Sequence, residues 1–154
     1  MDTVRWGIIG VGNVTEVKSG PAFYKTDHSK LVAVMRRDAE KAADYARRHH
    51  VGKWYSNAID LINDPEVDAV YIATPPDSHA RYAMEAMRAG KPVYVEKPMA
   101  RNYSECLEML RVSEETGMPL WVAYYRRTLP AFLKVKELVE TGAPWLDVQA
   151  PQEA

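Results

Sequence analysis

The feature of this sequence that most constrains its fold is a regular alternation between short apolar runs and longer charged segments. The apolar runs are too short for helices and are rich in β-branched and aromatic residues, which is typical of strands covered on both faces. Five runs predict strands, at residues 4–9, 31–35, 69–73, 93–95 and 120–124, and residues 53–55 predict a further short one. The alternation predicts the α/β class, with a doubly wound parallel sheet between two layers of helices.

The charged segments between these runs carry apolar residues at helical spacing. The clearest helices are predicted at residues 38–49, 78–89, 104–116 and 131–141. We expect Asp38 to cap the first of them, and Leu107, Leu110 and Met109 to face inward from the third. After the first strand, Gly20-Pro21 interrupts a helical stretch, which predicts two short pieces there instead of one helix.

Composition excludes several classes of protein. The chain has 154 residues, of which 47% are hydrophobic and 27% charged, and a net charge of -1, which argues against a disordered chain and against a nucleic-acid partner. One cysteine excludes a disulfide scaffold and a cysteine-cluster zinc site, and we expect no metal site. No apolar run reaches the roughly 18 residues of a membrane helix, and no signal-peptide pattern begins the chain, so we expect a cytoplasmic protein without a membrane partner.

Several single residues are expected to serve packing alone or to lie in solvent. Cys106 is expected to be a buried small apolar side chain and not a nucleophile. The tryptophans Trp6, Trp54 and Trp121 are expected to be packing residues and not a platform for nucleobases, and His49-His50 is expected to form a solvated helix end.

A glycine-rich loop follows the first predicted strand. Its sequence, Gly10-Val11-Gly12-Asn13-Val14-Thr15, matches G-x-G-x-x-G except for the final threonine. Gly10 permits a tight turn, and Gly12 lets the backbone approach a pyrophosphate at the start of a helix. The strand–loop–helix context favours a dinucleotide-binding Rossmann fold over an ordinary glycine turn. Gly10, Gly12, Asn13 and Val14 are therefore candidate cofactor-binding residues.

The second strand ends in Arg36-Arg37-Asp38, where an acidic residue usually binds the ribose hydroxyls of NAD. Guanidinium groups suit the 2′-phosphate of NADP, so Arg36 and Arg37 favour NADP over NAD. Two alternatives stay open: the arginines are solvated, or Asp38 turns back to a ribose and the cofactor is NAD.

Two later strands also end in candidate residues. The first exit carries Thr74-Pro75 and then His79, which either lines the crevice or is a half-exposed residue at a helix start. The second carries Glu96-Lys97-Pro98. A lysine there can polarise a substrate oxygen or act as an acid or base, although surface Glu-Lys pairs are also common.

These motifs together resemble the N-terminal domain of the Gfo/Idh/MocA oxidoreductases. The resemblance rests on the glycine loop, on Thr74-Pro75-Pro76 with His79, and on Glu96-Lys97-Pro98, and it runs from about residue 3 to residue 142. It implies an NAD(P)-dependent dehydrogenase or reductase acting on a sugar, inositol or polyol. It also implies that Lys97 lies beside the nicotinamide and substrate as the catalytic residue, with Thr74, Pro75, His79 and Glu96 at the cofactor.

The resemblance implies a second domain as well. We expect residues 1–142 to form the dinucleotide-binding domain and residues 143–154 an irregular tail, without the family's substrate domain. In the segment that leads toward that domain, Tyr125 and Arg127 are the residues implied to reach substrate. Two other functions remain open. One is a catalytically incompetent cofactor-binding module, and the other is a self-associating chain, such as a homodimer, joined through the helix at residues 131–141 or through a sheet edge.

Overall fold

The computed structural model describes residues 2–142, so the predicted irregular tail at residues 143–154 lies outside the described residues. The strands are β1 (Val4–Ile9), β2 (Ser29–Met35), β3 (Lys53–Tyr55), β4 (Ala69–Ile72), β5 (Val93–Val95) and β6 (Leu120–Val122). The helices are α1 (Asn13–Val17), α2 (Ala22–Lys25), α3 (Ala39–Arg48), α4 (Ala58–Ile62), α5 (His79–Arg88), α6 (Tyr103–Thr116) and α7 (Pro130–Glu140). Short 3-10 turns occupy Pro76–Ser78 and Tyr125–Thr128.

The six strands form one parallel sheet in the order β3-β2-β1-β4-β5-β6. This order confirms the predicted doubly wound sheet. The direction of winding reverses between β1 and β4, where helices on opposite faces diverge and leave a crevice at the carboxyl ends of the strands. The loops after β1, β2 and β4 therefore meet at one place.

Two hydrophobic clusters lie on opposite faces of the sheet. Ile8 belongs to one cluster and Ile9 to the other, and neighbouring residues of a strand point to opposite faces. The Ile8 cluster includes Phe23 of α2 and Tyr45 of α3, whereas the Ile9 cluster includes residues of α4, α5 and α6. The sheet therefore has a helical layer on each face, as predicted.

The chain divides into two compact units, one ending at Ala123 and the other beginning at Tyr124. The first unit contains the sheet and helices α1 to α6. The second contains α7, and none of the side chains of this helix is buried. The predicted limits of the cofactor-binding domain, residues 1–142, stay a prediction.

The first helical stretch is split at the expected place. Between α1 and α2, Gly20 packs so closely on the backbone that a Cβ there would lie 1.9 Å from the carbonyl oxygen of Thr15. The same oxygen accepts a hydrogen bond of 2.9 Å from the buried Tyr45 hydroxyl of α3. The absence of a Cβ at Gly20 therefore leaves room for the Tyr45 hydroxyl of α3 to reach α1, in addition to the break in the helix.

The predicted inward face of α6 was wrong for two of three residues. Met109 is fully buried, but Leu107 and Leu110 are 47% and 48% exposed. The buried stripe instead combines Met109 and Val112 with Cys106, which is half-buried against the core. Apolar residues occupy two adjacent stripes of this helix, so spacing alone did not decide which stripe the sheet covers.

Two of the three tryptophans lie at the sheet edges. Trp54 on β3 is 45% exposed and Trp121 on β6 is 52% exposed, because these strands are the first and last of the sheet. Trp6 on the central β1 does pack, with its ring 5.0 Å from that of Phe23. Within residues 2–142, the structure contains no helix of the length and apolarity that crossing a membrane requires.

Candidate functional site

The turn at Gly10 fixes the centre of the crevice. Gly10 has a φ of 95°, a conformation that residues with a Cβ rarely adopt. A Cβ there would also lie 2.7 Å from the Thr74 side chain and 2.9 Å from the Ala73 carbonyl carbon. The amide groups of Gly10 and Val11 both donate to the Met35 carbonyl oxygen, at 2.9 and 3.1 Å. The glycine loop is thereby held between the ends of β2 and β4.

Gly12 leaves an open cradle beside this turn. A Cβ at Gly12 would meet nothing closer than Arg36 Nη1 at 3.9 Å, so the position faces free space in which a ligand can approach the backbone. The buried Thr15, in place of the usual glycine, accepts a hydrogen bond from the Gly12 amide and donates one to the Gly12 carbonyl, both of 2.9 Å. The exposed Asn13 and Val14 begin α1 directly after the cradle.

A cavity of about 620 Å³ opens over the glycine loop. Among the predicted cofactor-binding residues, its lining includes Gly10, Gly12, Arg36, Arg37, Thr74 and Pro75. Asn13, Val14, His79, Glu96 and Lys97 are not part of that lining. The open backbone at Gly12 and the size of the cavity fit the sugar-phosphate part of a dinucleotide.

Cationic side chains dominate the end of the cavity after β2. Arg36 Nη1 donates to the Val11 carbonyl at 3.3 Å, which lays the guanidinium along the glycine loop, and Arg37 is exposed beside it. Asp38 caps α3 as predicted, because its Oδ1 accepts from the Lys41 amide at 3.1 Å. Its other oxygen is 2.8 Å from Lys41 Nζ, and the hydrogen bond from the Lys41 side chain lowers the pKa of Asp38. The Asp38 carboxylate is thus already occupied by α3.

The loop after β4 forms the opposite wall. Ser78 Oγ donates to Thr74 Oγ1 at 2.8 Å and closes this loop on itself. His79 begins α5 and is only 1% exposed, so the alternative of a half-exposed histidine was wrong. Its Nδ1 lies 2.9 Å from the Pro98 carbonyl oxygen and its Nε2 lies 2.7 Å from the Thr74 carbonyl oxygen.

Lys97 follows β5 on the same edge of the sheet. Its side chain is exposed, and within residues 2–142 its Nζ makes no ion pair or hydrogen bond. The preceding Glu96 is held by the Tyr71 hydroxyl, which donates to Oε1 at 2.6 Å, while the Lys97 amide donates to Oε2 at 3.2 Å. Burial and the neighbouring carboxylate raise the pKa of Tyr71, so this hydroxyl stays a donor. The peptide bond between Lys97 and Pro98 is cis.

The remaining predicted site residues lie in the second unit. Tyr125 and Arg127 are exposed residues of the 3-10 turn that begins this unit. Their role in substrate binding stays a prediction. In the described part of the chain, no group of three His, Cys, Asp or Glu residues is arranged to hold a metal ion.

Sequence reasoning missed one part of the cavity wall. Five further residues line the cavity, on the first turns of α3 and α5 and in the loop before α5. They are Lys41, Asp77, Ser78, Arg81 and Tyr82. Arg81 packs its guanidinium 4.7 Å from the centre of the Tyr82 ring. The predicted helix starts at Asp38 and Ser78 could have indicated these residues. The first turn of a helix that follows a crevice loop borders the same crevice.

Comparison with known proteins identifies this arrangement. The model of an oxidoreductase family with an NAD-binding Rossmann fold, Gfo/Idh/MocA, matches residues 4–124. The chain belongs to the Gfo/Idh/MocA family. The matched residues include the glycine loop, the Thr74 loop and Lys97, so the recognised resemblance is confirmed.

Members of the Gfo/Idh/MocA family similar to this chain are about twice its length or more. Oxidoreductase P35 of Formosa agariphila is 53% identical over 139 residues, which cover 90% of this chain and 43% of that protein. The 1,5-anhydro-D-fructose reductase of Ensifer adhaerens is 32% identical, over 90% of this chain and 41% of the reductase. A 3-ketoreductase from Actinomadura kijaniata, solved with NADP, has a TM-score of 0.84 at 25% identity and matches 92% of this chain and 43% of its own. The chain therefore spans about two-fifths of these relatives.

Helix α1, which follows the glycine loop, is anchored at its far end by Glu16. Both Glu16 oxygens accept hydrogen bonds from Arg48, at 2.6 and 3.0 Å, and His49 Nε2 lies 2.8 Å from Oε2. The His49 ring also stacks on Tyr45 at 4.1 Å between ring centres, so the prediction of a solvated His49 was wrong. The Arg48 hydrogen bonds lower the pKa of Glu16 to about 2.

The Glu16 cluster predicts a pH-dependent contribution to stability. A carboxyl whose pKa is lowered by folding stabilises the protein above its ordinary pKa, and this contribution is lost as the pH falls toward 2. Because Glu16 and Arg48 are partly exposed, we expect Glu16→Gln to lower the free energy of unfolding by only about 1 kcal/mol near neutral pH. Urea unfolding at several pH values measures this, and the difference from wild type should shrink below the ordinary Glu pKa.

Glu108→Gln is the matched control, since Glu108 is an exposed residue in the interior of α6, away from the helix ends. It should stay within about 0.5 kcal/mol of wild type at every pH. An effect of Glu16→Gln that is equally large in acid and at neutral pH would contradict the assignment.

Proposed function

We propose that this chain is the nucleotide-binding part of an NADP-dependent oxidoreductase that transfers hydride between the nicotinamide and a sugar, inositol or other polyol. The observation that carries the proposal is that the open Gly12 cradle and the Lys97 loop both lie at the carboxyl edge of one sheet, after β1 and β5, in a chain of the Gfo/Idh/MocA family. The relative named as an anhydrofructose reductase supports a sugar-like substrate. Tyr125 and Arg127 are proposed substrate contacts.

Different residues of the chain have different proposed roles in cofactor binding and in the reaction. Gly10 and Gly12 bring the backbone close to the pyrophosphate, and Arg36 and Arg37 pair with the phosphate on the ribose. When bound, the nicotinamide supplies the hydride acceptor or donor. Lys97 holds and polarises the reacting oxygen of the substrate and exchanges a proton with that oxygen. Glu96 accepts a hydrogen bond from the Tyr71 hydroxyl and another from the Lys97 amide, and so fixes the backbone at Lys97.

NADP is proposed over NAD because of the charges at the end of β2. Two arginines stand at the cavity, and Asp38, the carboxylate that directly follows them, caps α3 and pairs with Lys41. A 2′-phosphate gains charge-assisted hydrogen bonds from the two arginines, whereas a ribose diol would have to share Asp38 with Lys41.

The first test measures cofactor preference. The wild-type chain should bind NADPH more tightly than NADH, and Arg36→Asp should weaken NADPH binding by about 10- to 100-fold while changing NADH binding much less. Titration followed by NADPH fluorescence or calorimetry gives both dissociation constants. Arg111→Asp, which makes the same charge change on α6, is the control. Equal affinity of wild type for the two cofactors, or an unchanged preference in Arg36→Asp, would refute the NADP proposal.

The second test concerns hydride transfer. With a panel of sugars and polyols, Lys97→Met should lower turnover by about 10²- to 10⁴-fold and leave the NADPH dissociation constant within about threefold. Lys30→Met is the control, since Lys30 lies near the opposite, amino end of β2. An equal loss in both variants would contradict a role for Lys97 in the reaction.

The same assay distinguishes an active oxidoreductase from the second candidate function, a cofactor-binding module without catalysis. Hydride transfer needs a positioned substrate and exclusion of water, and Lys97 is exposed in this chain. Tight NADPH binding with no turnover by the wild-type chain favours the module. Robust turnover excludes it.

We also propose self-association through α7, as a homodimer. Five large apolar side chains of this helix are between 39% and 58% exposed, namely Phe132, Leu133, Val135, Leu138 and Val139. Light scattering should show a concentration-dependent dimer that Val139→Lys weakens, with Ile59→Lys on α4 as the control. A monomer at the highest concentration would rule this out.

The cytoplasm is the proposed location, because a chain with one cysteine cannot carry the disulfide framework that is common in small secreted domains. Nucleic acid is not among the proposed partners.

A further inference from the structure

His79 occupies an unusual position for a polar side chain in this fold. It is 1% exposed, at the first position of α5, and its two ring nitrogens reach the backbone of two different loops. Nε2 lies 2.7 Å from the carbonyl oxygen of Thr74, and Nδ1 lies 2.9 Å from the carbonyl oxygen of Pro98. Carbonyl oxygens only accept hydrogen bonds, so a ring nitrogen that carries a proton donates to the carbonyl oxygen it faces.

The two loops that His79 touches carry different parts of the site. The Thr74 loop, residues 73–78, packs against the turn at Gly10, because Thr74 and Ala73 occupy the space where a Gly10 Cβ would lie. The Lys97 loop, residues 96–100, places Lys97 directly before Pro98. His79 therefore bridges the wall of the cofactor cavity and the loop of the reacting lysine.

We propose that His79 is a positioning residue that sets the place of the Lys97 loop relative to the cofactor cavity through these two hydrogen bonds. Direct contact with the cofactor is not needed for this role, since both polar atoms of the ring already have protein partners. The link between the loops rests on geometry alone, whereas its effect on hydride transfer rests on the proposed function.

Two substitutions separate the two hydrogen bonds. The side-chain amide nitrogen of asparagine is three bonds from Cα, as is Nδ1 of histidine, and that of glutamine is four bonds away, as is Nε2. His79→Asn should therefore keep the bond to Pro98 and lose the one to Thr74. His79→Gln should keep the bond to Thr74 and lose the one to Pro98.

Hydrogen exchange of the chain without cofactor reads out each loop. His79→Gln should speed amide exchange in the Lys97 loop by roughly tenfold and leave the Thr74 loop near wild type, and His79→Asn should give the reverse pattern. Met87→Ala, a fully buried position on the same helix, is the control for general destabilisation and should not discriminate between the loops. Equal loosening of both loops in both variants, or no change in either, would overturn the proposal.

Two further measurements complete the test. In the wild-type chain, NMR should detect a slowly exchanging ring N–H proton on His79, and a ring proton that exchanges as fast as that of an exposed histidine would overturn the proposal even if the variants fail to fold. If the chain turns over substrate, His79→Gln should lower kcat with little change in NADPH affinity, whereas His79→Asn should weaken NADPH binding. Opposite exchange patterns without any cofactor binding would leave the link standing and refute the proposed function.

Discussion

The close contact between Gly10 and the Thr74 loop is the constraint on which the rest of the site depends. At this point the exits of β1 and β4 come within van der Waals distance, and only a residue without a Cβ fits. The same turn directs two amides onto the Met35 carbonyl, which ties in the exit of β2. Three strand ends are thus fixed relative to one another by one residue, and the cavity over the glycine loop takes its shape from them.

Much of the framework is predictable from sequence because it follows from local rules. Strand positions follow from apolar run length, the break between α1 and α2 from Gly20-Pro21, and the start of α3 from the Asp38 cap. Local rules do not predict which side of a helix packs against the sheet. On α6 both Leu110 and Met109 are apolar, and only the neighbouring helix and sheet decide that Met109 is the buried one. The limits of the five-residue α4 cannot be read from the sequence, since this helix is too short to show a helical period.

The site shows the same division between local and long-range information. The loop residues Gly10, Gly12, Arg36 and Thr74 were identifiable because each stands at a strand exit. Lys41 and Arg81 reach the cavity only through the placement of α3 and α5. The Glu16 contacts with Arg48 and His49 join residues that are more than thirty positions apart in the sequence. The local sequence pattern around Glu16 or around Arg48 does not predict these contacts. The same holds for the bridge from His79 to Pro98.

The threonine that replaces the last glycine of the loop motif has a consequence for the cost of binding. Thr15 donates to and accepts from the backbone of Gly12, and its own carbonyl is held by Tyr45. The loop is therefore ordered by contacts within the protein, without help from a ligand. The conformational entropy of this segment is lost when the chain folds, so a ligand that enters the cavity meets a preorganised surface and retains more of its contact energy as affinity.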